Sequence, residues 1–154
     1  MKKPSKFEKL LAVYDRFHAA LEGVDHDIVR QLVAAWKSER LSVITPGPGA
    51  RPSELAAGME EGLQFFMSMS MSSSDGAPFA RALQTAFAEG YPEFIAKQDE
   101  QLRGIRAKGR IASERQFGLV RHAIDVAEGD PQRTEELAEL YRLVDQYEAR
   151  ARRR

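Results

Sequence analysis

Three histidines and no cysteine bound the chemistry this chain can do. Asp15 and His18 stand three residues apart, and His122 and Asp125 repeat the spacing in reverse order. On a helix that spacing brings two side chains onto one face. The two pairs together would offer four ligands to a divalent metal held between helices. A carboxylate-bridged bundle, however, supplies Glu-x-x-His twice with further glutamates from two other helices, and that pattern is missing. No metal is therefore expected. His18 falls on the apolar stripe of its segment and reads as a hydrogen-bonded core histidine. His122 falls opposite Phe117, Val120 and Ile124 and is expected to face solvent.

Covalent catalysis has little to work with. None of the serines sits in G-x-S-x-G or S-x-x-K, the arrangements that aim and activate a serine hydroxyl. The phosphate-cradling glycine loops of nucleotide sites are missing too. Glu60 and Glu61 are neighbours, and neighbours on a helix point apart, so a solvated face is the simpler reading. No catalytic residue and no cofactor is expected, and the balance favours a protein that is not an enzyme.

Two stretches carry binding potential. Met67-Ser68-Met69-Ser70-Met71-Ser72 alternates like a strand, but no partner strand exists, and methionine is a good helix former. A helix that ends in the serines is expected. Flexible thioethers repack around varied apolar partners, so Trp36, Phe65, Phe66, Met67, Met69 and Met71 form the candidate surface for an apolar ligand or a protein partner; ordinary core filling is the competing reading. Thioether binding of Cu(I) is set aside for want of a nearby histidine or cysteine. The second stretch is basic: Arg103, Arg106, Lys108 and Arg110, followed by Arg115 and Arg121. It invites nucleic acid, but acids flank it at Asp99, Glu100 and Glu114, and 23 bases balance 23 acids overall. A neutral chain needs a strongly asymmetric charge distribution to hold phosphate, so nucleic acid is disfavoured.

These residues need elements to position them, and punctuation supplies the elements. Ser5 with Glu8 and Ser113 with Gln116 are capping boxes. Asp25 is expected to cap the second helix. Gly23, Gly90, Gly109 and Gly129 mark stops, and Pro52, Pro92 and Pro131 suit first helical positions. Ile111 is placed to fold back over the Gly109 cap. Apolar residues at spacings of three and four fill the intervals. The prediction is an all-α, single-domain bundle over residues 1–154. Its seven helices cover about 6–22, 26–40, 53–71, 77–89, 92–108, 114–128 and 131–150, the first two as an antiparallel hairpin. A Pro/Gly loop spans 42–52, and a frayed basic tail spans 150–154.

At 154 residues the chain has ample length for a buried core. Positions 51–90 hold two bases and five acids and are the least charged region, which suits a central helix. Apolar runs are too short to span a bilayer. Lys6, Glu8 and Lys9 interrupt the start, so a signal peptide is not expected. The freedom from cysteine favours a cytoplasmic setting, and the wealth of Ala, Arg and Gly points to a bacterial source. The expected role is a helical interaction or regulatory protein, self-associated as a homodimer or bound to a protein partner. A sensor of small apolar ligands comes second and a nucleic-acid-associated regulator third.

Overall fold

The computed structural model describes residues 2–45, 47–68 and 76–153. Among them the chain forms seven α-helices and no strand, so the fold is all-α. The helices are α1 (Lys6–Leu21), α2 (Asp27–Ile44), α3 (Pro52–Ser68), α4 (Gly76–Gly90), α5 (Pro92–Lys108), α6 (Glu114–Ala127) and α7 (Thr134–Arg152). A single 3-10 turn, Pro131–Arg133, leads into α7.

Local chemistry explains most boundaries. The Ser5 hydroxyl accepts the Glu8 amide at 3.1 Å and opens α1. The Ser113 hydroxyl accepts the Gln116 amide at 3.2 Å, while Gln116 reaches back to the Ala112 amide. At the end of α5, Gly109 adopts φ +70°, and the Ile105 carbonyl accepts from Arg110. That is a Schellman ending, and Ile111 folds back into the core beside Ile105. Asp130 caps the 3-10 turn through the Gln132 amide at 3.0 Å.

Several boundaries differ from expectation. Helix α2 continues to Ile44, so Ser42, Val43 and Ile44 are helical, not part of the loop. The break falls at Thr45, the residue before Pro46, where the proline ring disfavours helical backbone; Thr45 has φ −118° and ψ 75°. Asp25 does not cap α2. His26 occupies the cap without a side-chain bond, and Asp25 pairs with Arg30 instead. Nor is the basic end frayed at its start: α7 runs to Arg152, and Arg150 donates to the Ile111 carbonyl at 2.7 Å. The expected end of α3 at residue 71 lies outside the described residues.

The chain divides into two compact units. The first comprises residues 1–65 and 82–92, and α1 is its hub. Leu10, Val13, Phe17 and Leu21 recur every three or four residues and are all buried. Ala56, Met59 and Leu63 of α3 and Leu83, Ala86 and Phe87 of α4 are buried as well. Gly90 lets the end of α4 close on α1, since a Cβ there would stand 3.1 Å from the Val13 backbone nitrogen. The second unit comprises residues 66–81 and 93–154. Its core joins Ile105 and Ile111 to Val120 and Ile124 of α6 and Leu140, Leu143 and Val144 of α7.

Two glycines four residues apart in α3 separate packing from propensity. A Cβ at Gly58 meets nothing within 4 Å. A Cβ at Gly62 collides with the Tyr14 hydroxyl, which is held to the Met59 carbonyl at 2.9 Å. Gly58→Ala is predicted to raise stability by up to about 1 kcal/mol from helix propensity alone. Gly62→Ala should lower it by about 1–2 kcal/mol, because the lost hydrogen bond and overpacking outweigh the same propensity gain. Thermal midpoints of both variants check this; equal shifts would contradict it.

Candidate functional site

Two side-chain clusters stand out, one in each unit. In the first, α1 and α2 form the expected antiparallel hairpin, with Glu22 facing Lys37 and Asp15 facing Arg40. The Asp15 carboxylate accepts from Arg40 Nε and Nη2, both at 2.8 Å, and from the Trp36 indole nitrogen at 3.0 Å. Arg40 beside it, helped by the indole, holds the Asp15 carboxyl below its usual range. The Trp36 ring packs on Tyr14 with centroids 4.9 Å apart and stacks on His18 at 5.3 Å. His18 is buried, and its Nδ1 lies 2.7 Å from the Tyr14 carbonyl. Burial pushes the His18 imidazole down and the Tyr14 phenol up to about 12.

This arrangement is a clasp. Asp15 turns to α2 and is thereby engaged with a guanidinium and an indole. The rings of Tyr14, Trp36 and His18 stay uncharged at neutral pH. Such a group positions α1 against α2.

The structure places the apolar candidates in different settings. Trp36 belongs to the clasp, half-buried. Phe65 is 62% exposed on α3, and Phe66 is half-buried. Met67 is buried in the second unit, with the Gln98 amide nitrogen 3.7 Å from its sulfur. Met67 is thus core filler in its own unit. Met69 and Met71 lie outside the described residues.

In the second unit, α6 and α7 run antiparallel. Phe117 stacks on Tyr147 at 5.0 Å, and the Tyr147 hydroxyl donates to Glu114 at 2.5 Å. Arg106 of α5 pairs with Glu139 of α7 at 2.9 Å, and farther along Arg150 reaches Ile111. The C-terminal part of α7 meets the start of α6. Of the basic candidates, Arg106 is taken up by Glu139, while Arg103, Lys108 and Arg110 are exposed.

One expectation fails outright. His122 does not face solvent; it is 4% exposed. Helix α6 buries Val120, Ile124 and Ala127 on one side and His122 on the other, so it is enclosed from two directions. Arg81 shows part of the reason. It donates to the Val126 and Glu128 carbonyls, which brings the start of α4 against the end of α6. No periodicity within α6 itself signals that second neighbour. Among the described residues, no three His, Cys, Asp or Glu side chains group as metal ligands. None of the described helices is long and apolar enough to cross a membrane.

Comparison with protein-family models, with curated proteins and with solved structures gives no match.

Burial of His122 makes stability depend on pH. Desolvation lowers its pKa from 6.5 to about 4. The unfolded imidazole takes up a proton as pH falls through 6.5, whereas the folded one resists until about 4. The contribution is therefore fully present above 6.5 and is lost on acidification between those values. The loss should approach about 3 kcal/mol at the lower limit. Urea midpoints measured from neutral pH to pH 4.5 should fall, and His122→Leu should flatten that fall. An unchanged slope in the variant would contradict the assignment.

Proposed function

We propose that the protein is a non-enzymatic helical interaction protein whose first partner is a second copy of itself. The observation that carries this reading is the exposure of large apolar side chains in the first unit. Leu41 of α2 is 70% exposed, Phe65 of α3 62% and Ile28 of α2 48%. Single exposed apolar residues are ordinary on a soluble surface. A leucine and a phenylalanine more than half exposed on one compact unit support a contact surface there. Closed twofold pairing is the commonest way such a surface is covered.

The chemistry of the clusters supports a binding role over a catalytic one. Asp15 is bound to Arg40 and Trp36, and the buried histidines are held neutral. Asp15 is thus committed to holding α1 against α2. A cysteine-free composition is in keeping with a cytoplasmic setting.

Light scattering coupled to gel filtration tests the reading over a wide range of protein concentration. The expected mass is twice that of the 17.3 kDa chain, and Leu41→Ser with Phe65→Ser should shift it to the monomer without loss of helicity. A monomer at every concentration, or a dimer untouched by both substitutions, would overturn self-association through this unit.

A further inference from the structure

The second unit segregates its charges. Residues 108–115 and 146–153 carry six bases against two acids, and residues 93–100 and 121–136 carry eight acids against three bases. The fold gathers each set. The segment that follows α5 and the end of α7 both lie beside the start of α6, as the Arg150–Ile111 and Tyr147–Glu114 bonds fix. The bases therefore collect at one end of the unit. The acids collect at the other, where Asp99 and Asp130 both bear on Arg133. A chain with no net charge thus holds the asymmetry that phosphate binding requires, which the composition conceals.

We propose that this basic end, formed by Lys108, Arg110, Arg115, Arg152 and Arg153, binds the phosphate backbone of a nucleic-acid duplex. All five side chains are exposed, and none is in an ion pair among the described residues. Four of the five are arginines, whose planar fork matches phosphate oxygens two at a time. Bases in the last turns of α5 and α7 also complement the helix dipoles. That effect does not account for Arg110, which lies beyond α5, or for Arg115, which sits in the first turn of α6 where a base is disfavoured. The two acids within the set are Glu114, taken up by the Tyr147 hydroxyl, and Glu148. Tyr147 is half-buried against Phe117, so the patch lacks an open ring for base stacking. A duplex backbone therefore fits better than an unpaired strand, which leans on aromatic platforms. This inference is independent of self-association, which uses the first unit.

Fluorescence anisotropy of labelled mixed-sequence duplex DNA and duplex RNA, titrated with the full chain over a potassium chloride series, tests it. Binding to either duplex is expected, with log K falling against log salt at a slope of about −3 to −5. Arg110→Glu with Arg152→Glu should weaken binding at least about tenfold and flatten the slope by about 2, as expected for two lost phosphate contacts. The glutamine pair should lose less, and circular dichroism should show both variants folded. Lys2→Glu with Arg51→Glu, the same charge change in the first unit, should leave binding intact. No binding to either duplex at low salt would overturn the proposal. So would equal loss in the Lys2/Arg51 control, or displacement of the duplex by polyglutamate at equal charge concentration, which would make the patch a site for acidic protein.

Discussion

The first unit depends on a single carboxylate. Apolar burial brings α1 against its neighbours, but burial has no direction. Leu10, Val13, Phe17 and Leu21 would accept α2 over a range of registers and crossing angles. Asp15 removes that freedom, because it accepts three hydrogen bonds from two residues one turn apart on α2. Once Arg40 and Trp36 are fixed, the indole packs against both Tyr14 and His18. Tyr14 is then aimed at the Met59 carbonyl of α3, and Gly62 leaves room for it. A polar network that is fully engaged selects one packing from the many that hydrophobicity alone permits. The exposed ion pairs Lys6–Glu60 and Arg16–Glu89 extend from the same helix to α3 and α4, and at the surface such pairs add little.

The second unit is built on a different principle. Its specificity comes from an apolar seam between α6 and α7 that α5 completes, closed at the end by the Schellman turn and Ile111. Its charges lie outside the seam and are free to be sorted. Acids early in α7 and bases late in it favour the helix dipole, so polarising the unit costs little stability.

Much of the fold was legible because helix ends are local events. Ser5, Ser113 and Gly109 act within a few residues of themselves, and each does in the structure what its position predicts. The failures are non-local. His122 reads as solvent-facing because one stripe on α6 is enough for one neighbour, and the helix is enclosed on a second side. Asp15 was visible as a partner for His18, three residues away. Its actual partners are 21 and 25 residues away, and only the hairpin brings them near. The charge asymmetry was hidden for the same reason: two basic segments some 35 residues apart meet only because α6 turns the chain back. Asp25 shows the opposite error, a local capping signal displaced by an ion pair to Arg30.

Asp15 fixes the packing of α1 and α2, and Trp36, the single tryptophan, reports on it directly. The decisive measurement is a double-mutant cycle of Asp15→Ala and Arg40→Ala, read by Trp36 emission and by urea midpoint. Asp15→Ala should shift the native emission to the red and lower stability by about 1 kcal/mol, a charge-assisted bond discounted for its solvent exposure. Adding Arg40→Ala should then cost little more, because the partner is already lost. Native emission unchanged by Asp15→Ala, with strictly additive midpoints for the pair, would contradict the account.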